Sequence, residues 1–182
     1  MMMLYHSNET KSKWGINMIT EFENEESQEM GSLNHSVIQA RLAGSFFNDD
    51  KFTPAVELSL DISQLDLNQF AIKAKDELKP DVCLYESHLG LSKPDDILRM
   101  SKMPLLTIEI LSPKQTIDDI LNKFKAYFAL NVQSCWLVIP ILESITVYSQ
   151  RIDNFKLFEA KGDTEVIDEG LDIRLPLQNI FK

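Results

Sequence analysis

Three polar residues in this chain have types and settings that could do chemistry together: Asp81, Glu109 and Lys123. Asp81 follows Pro80 at the opening of the apolar run Val82-Cys83-Leu84-Tyr85, where a side chain at a strand edge can reach solvent. Glu109 is embedded in Leu105-Leu106-Thr107-Ile108-Glu109-Ile110-Leu111. A glutamate in such a run is costly to bury unpaired, so a dedicated partner is expected for it. Two carboxylates can hold a hard cation, Mg²⁺ or Mn²⁺, through oxygen, and the backbone carbonyl of Ile110 would extend the donor set. An amine nearby, Lys123, would support an attacking water and the negative charge that develops on the phosphate oxygens. The chemistry this permits is metal-dependent hydrolysis of a phosphodiester. Plainer roles compete for each residue: a turn aspartate at 81, an ion-paired or outward-facing glutamate at 109, and an exposed Asp119–Lys123 pair four apart on a helix.

Hydrophobic periodicity supplies the elements that must position these groups. Leu105–Leu111 reads as a strand buried on both faces, closed by Ser112-Pro113 because proline removes a ladder donor. Thr116 is suited to cap a helix from Ile117 to Leu130, with Ile120, Leu121, Phe124, Tyr127 and Phe128 on its buried stripe. Asn131 can take the left-handed position that ends it. Ser134–Ile139 follows as a strand. Upstream, Asn34 is the expected cap of a helix over His35–Phe47, buried through Val37, Ile38, Leu42, Ser45 and Phe46. Alternation predicts one strand over Phe52–Ile62, with residues 69–73 as a short partner, and another at Val82–Tyr85. Residues 92–103 read as loop with a helical turn at 95–100. Ile145–Tyr148 and Phe155–Phe158 read as a hairpin around Asp153-Asn154, and a last strand is expected near Glu165–Ile167. Helix, strands, helix, strands makes an α+β (or α/β) fold on one mixed central sheet. Residues 1–28, with Glu21, Glu23, Glu25 and Glu26 clustered, read as a partly ordered lead before a single domain over 29–182.

The net charge is −10 with a pI near 4.7, which argues against coating nucleic acid by electrostatics alone. The distribution is uneven: residues 1–69 carry −7, residues 70–125 carry 0 and residues 126–182 carry −3. The neutral third contains the two acids and the lysine, and a bound cation would turn it positive. Cys83 and Cys135 sit in apolar runs without a Cys-x-x-Cys pair, so neither a disulfide framework nor a structural zinc site is expected. No stretch approaches a membrane span and the start is polar, so a cytoplasmic protein without membrane partners is expected. The absence of a Gly-x-x-x-x-Gly-Lys loop and of a Gly-x-Gly-x-x-Gly turn leaves a nucleotide cofactor unsupported. No Gly-x-Ser-x-Gly elbow points to a serine hydrolase. Trp14 and Trp136 sit in apolar contexts that read as core, not as platforms for stacking bases.

The succession Lys79-Pro80-Asp81-Val82, then Leu106-Thr107-Ile108-Glu109-Ile110-Leu111-Ser112-Pro113, then Asp119-x-x-x-Lys123-x-x-x-Tyr127, then Cys135-Trp136-Leu137-Val138 resembles the small "putative restriction endonuclease" family of the PD-(D/E)XK nuclease superfamily. The family is known mostly as a domain of unknown function. Gly170–Phe181 is similar to its C-terminus and His35 to a histidine on its first helix, so the resemblance covers about residues 29–181. It implies a restriction-endonuclease-like core with additional C-terminal hairpin strands, Asp81 and Glu109 as metal ligands, and Lys123 as the catalytic lysine. In the superfamily's simplest pattern the lysine stands two residues after the second acid, where this chain has Leu111; Lys114 and Lys125 are then the alternatives to Lys123. His35, Ser112, Gln115 and Tyr127 are candidate auxiliaries. The expected function is a Mg²⁺- or Mn²⁺-dependent endonuclease acting on DNA, as a homodimer if both strands of a duplex are cut. The alternative, motivated by Leu111 and the acidic balance, is a catalytically inactive module that keeps the fold for binding or regulation.

Overall fold

The lysine-bearing helix exists because of two signals at its ends and one stripe between them. In the computed structural model, which describes residues 32–72, 76–87 and 89–182, Thr116 accepts the backbone N–H of Asp119 and Asp119 reaches back to the backbone of Thr116. That reciprocal pair opens the helix Ile117–Ala129, here α2. Ile120, Phe124 and Tyr127 are fully buried along one side, and Asn131 closes the helix at φ 66°. The helix α1, Leu33–Phe47, is capped by Ser32, whose hydroxyl accepts the N–H of His35, rather than by the expected Asn34. Its buried line is Ile38, Leu42 and Phe46; Val37 lies at the surface.

Among the described residues ten strands follow chain order: β1 Phe52–Val56, β2 Leu60–Asp61, β3 Glu77–Leu78, β4 Val82–Glu86, β5 Leu106–Ile110, β6 Ser134–Ile139, β7 Ser144–Ser149, β8 Phe155–Glu159, β9 Glu165–Asp168 and β10 Ile173–Pro176. A short final helix, α3, spans Leu177–Phe181. Six strands make one mixed sheet in the order β1-β4-β5-β6-β7-β8. Only β5 and β6 run parallel, joined by α2 as their crossover, and the other neighbours are antiparallel. β9 and β10 form a separate hairpin, and β2 and β3 a short two-stranded sheet.

The sheet has a core on each face. Ile108, Ile110, Trp136 and Val138 pack with Ile38, Leu42 and Phe46 of α1 and with Val166, Ile173 and Leu175 of the C-terminal hairpin. Cys135 and Leu137, pointing to the opposite face, pack with Ile120, Phe124 and Tyr127 of α2. Strand alternation therefore puts Glu109, between Ile108 and Ile110, on the α2 face.

Several expected elements are corrected. The single strand over Phe52–Ile62 is two strands, broken at Glu57, which takes a left-handed φ of 50° that no glycine announced. Residues Leu67–Phe70 form a 3₁₀ turn instead of a strand, and the partner of β1 is β4. The helical turn expected at 95–100 is absent; Met100 instead bridges Leu60. The strand expected near Glu165–Ile167, β9, is not the last: β10 follows it and pairs with it antiparallel. The lead over 1–28 and Trp14 lie outside the described residues. Both cysteines are buried free thiols.

One buried polar contact ties the sheet to the C-terminal hairpin: Trp136 of β6 donates Nε1–H to Asp168 Oδ2 of β9 at 2.9 Å, and Asp168, 1% exposed, also accepts the N–H of Gly170. Trp136→Phe removes one of those donors from a buried carboxylate and shrinks the ring, and should cost about 2–4 kcal/mol in urea unfolding. Asp168→Asn, which keeps an acceptor facing the indole, should cost less.

Candidate active site

Glu109 is 1% exposed, yet both its oxygens have donors. Lys123 Nζ lies 2.8 Å from Oε2, and the Tyr127 hydroxyl donates to Oε1 at 2.9 Å. Lys123 and Tyr127 stand one helical turn apart on α2, so a single helix face delivers both. Asp119, the rival partner of Lys123, has its carboxylate in the capping box with Thr116.

Asp81 lies one residue before β4, and the β4–β5 register, with Val82 opposite Ile108, carries on to place it opposite Glu109. Its Oδ2 accepts the backbone N–H of Ile110 at 2.6 Å, and its Oδ1 lies 3.2 Å from Nε2 of His35 on α1. The N–H and C=O of one strand residue point to the same edge, so the Ile110 carbonyl turns to the side where Asp81 stands. The structure thus brings Asp81, Glu109, Lys123, His35, Tyr127 and the Ile110 backbone together. Ser112 and Gln115 instead bond to each other, the Gln115 side chain accepting the Ser112 N–H and the Ser112 carbonyl the Gln115 N–H, as turn residues leading into α2. Lys125 bonds the Asn122 side chain at 2.9 Å, and Lys114 is exposed in that turn.

Burial pushes the Glu109 carboxyl above its ordinary range; the Lys123 charge opposes that shift and the Asp81 charge adds to it. Burial alone would lower the Lys123 ammonium, but the charge and hydrogen bond of Glu109, with Asp81 and Asp119 behind them, leave it raised. A raised acid and a raised amine compete for one proton. The 2.8 Å contact and the second donor from Tyr127 favour the charged carboxylate, so the pair is Glu109 anion and Lys123 cation. Burial followed by the Glu109 charge keeps Tyr127 neutral as a donor, well above its ordinary range. His35 is raised above 6.5 chiefly by its hydrogen bond to Asp81, against an opposing effect of burial.

Among the described residues no group of three or more His, Cys, Asp and Glu side chains is arranged to hold a metal. Two carboxylates and a backbone carbonyl, all oxygen donors, are a set of the kind Mg²⁺ accepts, since that ion keeps several waters and takes substrate phosphates in place of an all-protein cage. The donor chemistry fits the expected cation. Gln39 and Glu57, which no motif marks, complete the surroundings. Gln39, one turn after His35, donates to the Asp81 carbonyl at 3.0 Å and to Glu57 at 3.2 Å. The i, i+4 spacing from His35 was the one available signal.

A six-stranded mixed sheet whose one parallel pair is joined by a helical crossover makes this an α+β fold. The family model described as "Uma2: Putative restriction endonuclease" matches residues 20–178, and the chain belongs to that family. Among solved structures it is similar to a "putative nuclease belonging to DUF820" from Anabaena variabilis, with a TM-score of 0.64, 19% identity, and coverage of 84% of this chain and 82% of that one. At that identity the likeness is one of fold. No curated protein matches the chain.

Two outcomes follow for the metal-free protein in EDTA. A histidine whose folded pKa is raised contributes stability that is fully present below its unfolded pKa and lost as pH rises through the folded value. The gap in unfolding free energy between wild type and His35→Ala should therefore be widest below about pH 6.5 and narrow above it, as urea titrations at several pH values would show. Tyr127→Phe takes one donor from the buried Glu109 and should destabilise by about 1–3 kcal/mol.

Proposed function

We propose that the chain is a metal-dependent endonuclease that hydrolyses phosphodiester bonds in DNA. The observation that carries the reading is the buried Glu109 carboxylate, held by Lys123 and Tyr127 and set opposite Asp81 on the adjoining strand. Membership of a restriction endonuclease family supports it. Asp81, Glu109 and the Ile110 carbonyl would hold Mg²⁺ or Mn²⁺. Such a cation, when bound, neutralises phosphate charge and lowers the pKa of a coordinated water.

The chain's own groups have distinct tasks in this reading. Tyr127 and Lys123 fix the Glu109 carboxylate, and His35 and the Ile110 N–H fix that of Asp81. Lys123 stays protonated beside Glu109, which suits it to donate hydrogen bonds to phosphate oxygens as negative charge builds and not to remove a proton from water. It is 24% exposed, so its stem is packed while its head can reach a substrate. Two cuts in a duplex need two such sites, for which a homodimer is the simplest assembly. Among the described residues no helix is long and apolar enough to cross a membrane.

Plasmid relaxation and linearisation with Mg²⁺, with Mn²⁺ and with EDTA test the reading. Wild type should cleave only with metal, and Glu109→Ala should lose roughly a hundredfold or more, the several kcal/mol that a metal centre supplies. Lys123→Met should fall by about a hundredfold, as for loss of a preorganised charge donor, while Lys125→Met should cleave as wild type. Cleavage that persists in Glu109→Ala would sink the assignment.

A further inference from the structure

Glu57 is a non-glycine residue held at φ 50°, and its strain is matched to a task next to Asp81. The β1–β4 register, with Val56 opposite Val82, carries on to place Glu57 opposite Asp81, each one residue outside its strand. At its left-handed φ, Glu57 gives its backbone N–H to the Asp81 carbonyl at 3.3 Å. Its side-chain Oε1 accepts from Gln39 Nε2 at 3.2 Å, and the same Gln39 nitrogen lies 3.0 Å from the Asp81 carbonyl. One carbonyl oxygen therefore has two donors, and those two donors are tied to each other. A left-handed non-glycine residue survives where its surroundings over-determine it, and here Glu57 is held through both its backbone N–H and its side chain.

From this closed arrangement we infer that Gln39, working through Glu57 and the Asp81 carbonyl, is a positioning residue for the Asp81 carboxylate. Pinning the Asp81 carbonyl fixes the peptide plane that leads into β4, and with it the direction of the Cα–Cβ bond. The carboxylate is then aimed between its two own contacts, the Ile110 N–H at 2.6 Å and His35 Nε2 at 3.2 Å. His35 and Gln39, one turn apart on α1, thus hold the same residue at both ends, side chain and main chain. α1 is the positioning element for one acid as α2 is for the other. The inference rests on the nuclease reading only for what Asp81 is positioned to do; the positioning itself concerns the metal-free fold.

Gln39→Met keeps length and helix propensity but cannot donate. Gln39→Glu keeps the shape and sets a carboxylate against both the Asp81 carbonyl and Glu57. Glu57→Gln retains the acceptor oxygen and serves as the conservative partner. In EDTA, the Ile110 amide proton in ¹H–¹⁵N spectra of the full chain should move upfield in Gln39→Met and further in Gln39→Glu. The Trp136 and Cys135 amides of β6 should stay in place. By calorimetry, Mn²⁺ affinity should fall about tenfold in Gln39→Met, the usual size for loss of a group that orients a ligand. kcat should fall with it at limiting metal while KM for DNA holds, and Glu57→Gln should remain within about threefold of wild type, well short of that ligand-orienting loss. A Gln39→Met protein whose Ile110 amide and Mn²⁺ affinity are both unmoved overturns the inference, as does one that loses only global stability. Wild type that binds no Mn²⁺, or Glu109→Ala that binds it as wild type does, sinks the nuclease reading instead; the Ile110 amide then still decides whether Gln39 positions Asp81.

Discussion

The rest of the structure is arranged around one buried charge. Glu109 sits in the middle of the sheet, on a strand whose every residue is buried, and an ion in such a place costs several kcal/mol unless charge and hydrogen bonds compensate it. The compensation comes from α2. Because β5 and β6 are parallel, the chain must cross over between them, and the crossover is that helix. Ile120 and Phe124 seat it on the α2 face of the sheet, and that seating sets its rotation, which in turn brings Lys123 and Tyr127 to the carboxylate. Packing and electrostatics on α2 are therefore one constraint. A slip of one residue would turn each side chain by about 100° around the helix and strand the charge.

Asp81 presents the opposite problem. It lies at the start of β4, 18% exposed, where water reaches it more readily than Glu109 and burial alone does less to fix its direction. Its orientation comes from directed contacts: the Ile110 N–H, the His35 ring, and the donors on its own carbonyl. α1, whose buried line packs on the other core, brings His35 and Gln39 to it. Two helices from two layers thus each serve one acid, and the sheet holds the acids opposite one another through the β4–β5 register.

How much of this could be read from the residues follows the same division. β5, β6 and α2 were legible nearly to the residue, because each combines an uninterrupted apolar pattern with a local stop signal: Ser112-Pro113, Thr116 with Asp119, Asn131. The cost of burying Glu109 unpaired was legible too, and with it the need for a partner. Which amine answered was not written in local pattern, since Lys123 lies 14 residues away from Glu109 and only the crossover brings it back. Around Asp81 the sequence is quieter. Glu57 breaks a strand with no glycine to mark the left-handed turn, so Phe52–Ile62 read as continuous. Gln39 is one uncharged amide on a helix, and its two contacts fall on residues 18 and 42 positions away. Ser32 and Asn34 are both good caps two residues apart, and propensity does not separate them.

The place of Leu111, two residues after Glu109, follows from the same packing. Residues 109 and 111 point to one face of the strand, so a lysine at 111 would share the α2 face with Glu109. That position instead packs partly buried against the core beneath α2, among the group that includes Phe124, Leu137 and Ile120. A cation there would have to keep its charged head out of that apolar cluster while its stem filled it. Different residues meet the two requirements: Leu111 adds apolar contact below the helix, and Lys123 comes from the helix itself to Glu109, with part of its side chain still open to solvent. The ammonium therefore meets the buried Glu109 charge from α2 without entering the apolar cluster that Leu111 helps to fill.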